Sequence, residues 1–352
     1  MYTSKETIEI DGRLGEGGGQ VLRTSLVLAM LTGRRLHITN IRAGRQTAGL
    51  LRQHLACVQA LHQICGGTLE GDHVGSTELV AAFGKAVAGD YTFRIGSAGS
   101  TALVFQTVIY ALLSADGPST LTIEGGTHAM AAPAADSIRD GFLPVIEHFG
   151  AKVEFDLQRV GFFPVGAGRI KAVVQPIGEW KTPGSLDGGL VVGRTATVYH
   201  AHTSEKLIAD IARQLRKHPD WNGLEVETVD CPESLSPGVA MVLRVQKQAH
   251  TSVFFAPMKR GQNAPKFAAR LSGKAHGHAR SGASFCEHMT DQVLIPLALS
   301  GGGTIVSECI THHTRTNAEV ISMFLPVQFA YRPVGGGNVE VECVSGVGAS
   351  DV

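Results

Sequence analysis

No two cysteines of this 352-residue chain are spaced Cys-x-x-Cys; the six are Cys57, Cys65, Cys231, Cys286, Cys309 and Cys343. Zinc ribbons and thioredoxin-like redox sites are therefore not signalled, and reduced, buried thiols are the plain reading. Charge of one sign is lacking too, since Lys+Arg and Asp+Glu are both 31. A nucleic-acid partner would have to be held by a local basic site rather than by the overall field. No apolar run reaches the ~18–20 residues that a bilayer span needs. The first six residues, Met-Tyr-Thr-Ser-Lys-Glu, contain no apolar signal-peptide core. The expectation is a cytoplasmic protein with no membrane partner.

The common nucleotide and metal motifs are also missing. There is no Gly-x-x-x-x-Gly-Lys-Ser/Thr, which excludes a P-loop, and no His-Glu-x-x-His. No Lys-x-Asp-Gly signals a lysine-based nucleotidyl transferase of the ligase or capping type. The Gly15–Gly19 run reads as lacking the preceding strand and the downstream acid of a dinucleotide site.

What is abundant is glycine, 43 residues against a usual share of ~7%. The glycines sit in short runs beside apolar helical segments, where backbone turns approach a ligand or each other closely. Self-comparison of the chain then exposes a repeat. The turn at 15–20 leads into a helical segment, Val21 to Leu31. A strand (35–41), a polar loop (42–49) and a second helix (50–65) follow, stopped by Gly66-Gly67. From Gly96 the order recurs, with a helix over 101–113, a strand over 121–123, a loop over 125–133 and a helix over about 134–149. It recurs once more from Ser281, with a helix over 286–299, a strand over 304–310, a loop over 311–317 and a helix over 318–325.

Three copies predict an α/β fold with a large domain of three repeated modules around a pseudo-threefold axis, formed by residues 1–187 and 281–352. The long gap between copies two and three predicts a smaller inserted α/β domain, residues 188–280. Its expected elements are strands over 195–201, 241–245 and 251–255 and an amphipathic helix over 204–216, bounded by 185–189 and by the Gly/His/Ala-rich stretch 273–282. The polar loops then occupy equivalent places, each ahead of a helix N-terminus. They carry Arg42 and Arg45; Thr127 and His128; and His312, His313, Arg315, Thr316 and Asn317. Helix N-termini favour phosphate, and guanidinium forks bind it bidentately. Taken singly, Arg42 and Arg45 read as solvated surface residues and His313 as a surface histidine; the repeat sets them in a phosphate-binding context.

These residues carry a family resemblance. Asp11-Gly12 followed by Glu16-Gly17-Gly18-Gly19-Gln20-Val21-Leu22-Arg23 resembles the N-terminal signature of RNA 3′-terminal-phosphate cyclases. Ile41-Arg42-Ala43-Gly44-Arg45 with Gly49 to His54 is similar to their next block. The likeness continues through Ile95 to Ser100, Gln106-Thr107, Gly125 to Thr127, Ala132-Pro133, Gly161 to Gly166, Asp291-Gln292 and His313 to Asn317. Departures are small. Ala167 interrupts a glycine run, His128 stands where Asn or Asp is expected, and His288 where Tyr is the other common choice.

The resemblance implies conversion of an RNA 3′-phosphate and ATP to a 2′,3′-cyclic phosphate, AMP and pyrophosphate, through a covalent histidine-AMP and an adenylylated RNA end. It places the nucleophile at His313, a catalytic Mg²⁺ or Mn²⁺ at Glu16, and Arg23, Arg42, Arg45 and Gln53 around phosphate or RNA. Gln106, His288, Asp291 and Gln292 would line the nucleotide pocket. A neutral imidazole, with a pKa near ~6.5, suits the first transfer and splits a hard step into easier ones. The expected partners are RNA 3′-phosphate ends; homo-oligomerisation is left open. One alternative is a non-enzymatic ribosome-assembly scaffold of the same fold, which would lack the histidine. Another is an enolpyruvyl transferase, which would show two similar-sized domains and no small insert.

Overall fold

A computed structural model describes residues 6–184 and 186–346; Met1–Lys5 and the expected boundary residue Ser185 lie outside them. The chain is a mixed α/β protein with four small sheets among the described residues.

The first sheet combines β1 (Thr7–Asp11), β2 (Arg35–Thr39), β3 (Gly67–Glu70) and β4 (Leu79–Phe83) in the order β1-β2-β4-β3. Helix α1 (Gly19–Thr32) joins β1 to β2 and α2 (Arg52–Cys65) joins β2 to β3. The parallel β1–β2 pair corrects the expectation that no strand precedes the Gly-rich turn. Only Ile8 and Ile10 alternate among the acids Glu6, Glu9 and Asp11, too short a pattern to read, and pairing with β2 completes it. Helix α1 is apolar on nearly every side because it is enclosed. It stops at Gly33, whose φ of 63° few other residues adopt and whose N–H bonds Met30 O.

A second sheet repeats this order and these directions with β5 (Asp90–Arg94), β6 (Ser119–Gly125), β7 (Lys152–Arg159) and β8 (Gly168–Gln175), arranged β5-β6-β8-β7. Helix α3 (Thr101–Leu113) joins β5 to β6. The second helix expected over 134–149 is present as a continuous helical stretch over 135–147, in which a π turn, Ser137–Phe142, runs into the short α4 (Leu143–Glu147).

Next come β9 (Val191–Ala201), α5 (Glu205–Arg216), a 3₁₀ turn at Pro219–Trp221, β10 (Val226–Asp230), β11 (Gly238–Lys247), β12 (Thr251–Pro257) and α6 (Ala264–Ser281). Their sheet runs β10-β9-β11-β12. Beside the π turn, Arg244 of β11 bonds Asp136 and Asp140, each at 2.6 Å. The Gly/His/Ala-rich stretch 273–282 is helical rather than a loop. Those residues are mostly the C-terminal half of α6. A Cβ at Gly273 or Gly277 would meet open space, so these glycines cost only ~1 kcal/mol each in helix propensity. Buried Phe267, Ala268, Leu271 and Ala275 offset that.

The last sheet, β13-β15-β14, comprises β13 (Gly302–Ser307), β14 (Val327–Pro333) and β15 (Val339–Ser345). Helix α7 (Glu287–Leu299) precedes it and α8 (His312–Phe324) links β13 to β14. A parallel bridge, Phe285 to Ser307, stands where the other sheets have a first strand. The loop expected over 311–317 is already helical. The Thr311 hydroxyl caps α8 by accepting the Thr314 N–H at 3.1 Å, so His313 lies in its first turn.

Helix α1 packs on α3 and α8, α3 on α2, and α7 on α8. Their buried side chains, among them Leu22, Leu26, Phe105, Val108, Leu294 and Ile321, belong to one core. No helix among the described residues is long and apolar enough to cross a membrane.

Candidate active site

Packing of these helices brings the first turns of α1, α2, α7 and α8 to one cavity of about 780 Å³. All ten residues singled out from the sequence line it: Glu16, Arg23, Arg42, Arg45, Gln53, Gln106, His288, Asp291, Gln292 and His313. Four helix N-termini around one space give a site that favours anions. Val253, Phe255 and Pro257 of β12 and Ser137 and Phe142 of the π turn complete the wall.

Glycine lets two polar loops meet. A Cβ on Gly44 would lie 2.6 Å from Glu16 O, and one on Gly17 would lie 2.9 Å from Gly44 N. Through that contact the Gly44 N–H bonds Gly17 O at 3.0 Å, and Arg45 pairs with Glu16.

His313 is half exposed. Its Nδ1 lies 2.8 Å from Gln20 Oε1 and 3.2 Å from Glu16 Oε1. Gln20 is itself oriented, because its Nε2 donates to Asp291 Oδ2 at 2.6 Å. The amide oxygen therefore faces the imidazole, which favours the proton on Nδ1 and leaves the Nε2 lone pair free. Asn317 extends the network, donating to Asp291 O at 2.6 Å and accepting from the Thr24 hydroxyl at 2.6 Å. The Glu16 carboxylate beside Nδ1 raises the His313 pKa above its ordinary value. Burial alone would raise the Glu16 carboxyl, but neighbouring His313 and Arg45 hold it below its usual range. Burial pushes Asp291 up to about 6, against the pull of His313, Gln20 and Arg23.

The cations differ. Burial lowers the pKa of Arg23, and among the described residues no hydrogen bond or ion pair engages its guanidinium. It is a positive charge facing a cavity without a partner. Arg42 is buried and donates from Nη1 to Thr47 O at 2.7 Å and Gly49 O at 2.9 Å, so it also holds its own loop. Burial beside Arg23 and Arg42 pulls His54 down to about 3, which keeps that ring neutral. Gln53 Oε1 accepts the Ser100 N–H at 3.2 Å, and Gln106 donates to Gln292 at 2.5 Å. His288 is exposed at the rim.

Glu16 Oε1 is buried and accepts no hydrogen bond, although His313 Nδ1 lies near it. An orphaned carboxylate oxygen facing a cavity fits a hard divalent cation that keeps waters and phosphate oxygens as its other ligands. Sequence reasoning gave no role to Gln20 or His54, and set Asn317 in a phosphate-binding loop rather than in this network. Gln20 stood inside the Gly-rich signature, but a glutamine's partners 271 and 293 residues away leave no local trace.

Fold and site define a mixed α/β protein with a basic, histidine-bearing cleft. The model of the RNA 3′-terminal phosphate cyclase family matches residues 14–331, and the chain belongs to that family. A protein named RNA 3′-terminal phosphate cyclase from Koribacter versatilis is 43% identical over 325 residues, covering 92% of this chain and 91% of that protein. One of the same name from Pseudomonas fluorescens is 38% identical over 339 residues, covering 96% and 98%. Among solved structures, EPSP synthase from Acinetobacter baumannii is 12% identical with a TM-score of 0.31, covering 97% of this chain and 65% of that one. That likeness is too slight to bear on fold or function.

Proposed function

We propose that this chain converts RNA 3′-terminal phosphates to 2′,3′-cyclic phosphates with ATP, and that His313 is the residue adenylylated on the way. The observation that carries the reading is His313 itself: Nδ1 is engaged by Gln20, and Nε2 is free at the edge of a cavity holding an unpaired Arg23. The family's name supplies the substrate class, an RNA 3′-phosphate. We also take the matching strand orders of the first two sheets, and the shorter third, as three modules about a pseudo-threefold axis. Residues 188–280 are then an inserted domain, and β12 gives the cavity one wall.

In this scheme Nε2 attacks the α-phosphorus of ATP, the bond to the pyrophosphate oxygen breaks, and pyrophosphate leaves. The Nδ1 proton stays on the ring, held by Gln20 Oε1, so the imidazolium formed is stabilised by neighbouring Glu16. An oxygen of the RNA 3′-phosphate then displaces the imidazole, taking AMP. Finally the vicinal 2′-hydroxyl attacks the 3′-phosphorus, AMP leaves, and the hydroxyl proton passes to water. Arg23, Arg42 and Arg45 oppose the negative charge that builds at each phosphorus. Gln106, Asp291, Gln292 and His288 are assigned to the nucleotide and Gln53 to phosphate or RNA. Glu16 Oε1 is the ligand proposed for Mg²⁺ or Mn²⁺, which supplies Lewis-acid neutralisation of phosphate oxygens when bound.

The test is an RNA oligonucleotide ending in a 3′-phosphate, incubated with the protein, ATP and Mg²⁺. The expected product resists phosphatase and regains sensitivity after acid opening of the ring. An end that stays phosphatase-sensitive, in protein that is folded, overturns the proposal and leaves the scaffold reading.

A pH profile isolates the Glu16–His313 contact. Only neutral His313 is a nucleophile, and Glu16 raises its pKa. The rate of self-adenylylation should therefore rise with pH through that raised value. Glu16→Gln removes the anion, so the acid limb of the profile should move to lower pH even though the maximal rate falls. An unmoved limb would show that Glu16 does not set the protonation of His313.

A further inference from the structure

Where the 3₁₀ turn Pro219–Trp221 meets the C-terminal half of α6, His218, Asp220 and His276 converge. A ring nitrogen of each histidine and a carboxylate oxygen of Asp220 all lie within 4.8 Å of one another. None of the three lines the cavity described above. We propose that these three residues form a site for a transition-metal dication of the zinc type, which clips the α5–β10 connection onto α6.

Each part of the geometry bears on this. His276 Nδ1 lies 2.5 Å from Asp220 Oδ2, and the two imidazole rings stand edge to face with centroids 5.0 Å apart. An ion pair accounts for His276 but not for the second histidine beside it. His218 Nδ1 takes only a long 3.3 Å bond from the Asp220 N–H. Among the described residues, its Nε2 has no hydrogen-bond partner. Asp220, a carboxylate at neutral pH, supplies the negative charge of the set. Trp221, fully buried, fixes the turn that carries Asp220.

Two imidazoles and one carboxylate are the ligand types that Zn²⁺ takes with a fourth position left to water. The nitrogens select against Mg²⁺, which prefers an all-oxygen shell. Arg194, with Nη2 3.7 Å from Asp220 Oδ2, adds a positive charge, and binding should be weaker than in an all-anionic site. The proposal stands apart from the reading of the cavity.

The test uses the full chain, stripped by a chelator and held in millimolar Mg²⁺ to fill oxygen-ligand sites. Zn²⁺ is then titrated against a chromophoric competitor. One equivalent should bind. His218→Gln and His276→Gln should each weaken binding at least ~10-fold, the loss typical of perturbed metal ligands and their supports, while Glu16→Gln leaves it unchanged. Co²⁺ added to the unaltered protein should give the intense visible bands of low-coordinate cobalt, a readout that needs no variant to fold. Absence of stoichiometric binding, binding that survives both histidine substitutions, or binding lost with Glu16→Gln would each overturn the site.

Discussion

His313→Ala protein incubated with ATP labelled at the α-phosphate is expected to carry no label after denaturing electrophoresis, while the unaltered chain is labelled. The loss should be complete because no other group at the cavity shares the chemistry of Nε2. His54 is buried between Arg23 and Arg42, and His288 stands exposed at the rim with no amide to fix its tautomer. The side chain of His313 is half exposed and, among the described residues, bonds Gln20 and lies beside Glu16, so truncation leaves the core untouched. His313→Asn keeps a polar group near Gln20 and should be equally inert. In the unaltered protein the label should survive alkali and be lost in acid, as a phosphorus–nitrogen bond requires. Label that persists on the His313→Ala chain would remove this residue from its proposed role.

The parts of this molecule that were readable from the sequence are those with a local cause. Apolar runs ended by Gly33 and Gly66 gave α1 and α2 to within two residues, because a helix terminus needs a residue free to turn left-handed. The Gly-rich turn announced close backbone approach, and the Gly17–Gly44 contact is one. What was not readable depends on partners distant in sequence. The π turn at Ser137–Phe142, a widening of the helix over 135–147, coincides with Asp136 and Asp140 reaching Arg244, more than a hundred residues away. Helix α6 hid behind Gly273 and Gly277, whose low propensity is outweighed by a buried face invisible until β11 and β12 are in place. The ten candidate residues share one cavity, yet the contacts that distinguish them were not readable. Arg42 shares its guanidinium with its own loop, Arg23 is unpaired, and Gln20 connects Asp291 to the imidazole.

The second large effect concerns the substrate rather than a residue. In the proposed scheme the 2′-hydroxyl of the terminal nucleotide takes part only in ring closure, so both adenylyl transfers proceed without it. An RNA ending in a 2′-deoxy or 2′-O-methyl nucleotide with a 3′-phosphate should therefore be capped with AMP and go no further. The capped end, joined through a pyrophosphate linkage, should accumulate to about the amount of substrate supplied and carry the α-phosphate label. It should migrate about one nucleotide more slowly, while no cyclic phosphate forms at all. The effect is complete because no side chain at the cavity replaces an attacking oxygen that must come from the same ribose. Release of AMP without a capped end, from protein that labels itself, would mean that water or another acceptor takes the adenylyl group. Protein that is labelled on His313 yet never transfers AMP to any 3′-phosphate would break the link between the nucleophile and RNA, and with it the proposed activity.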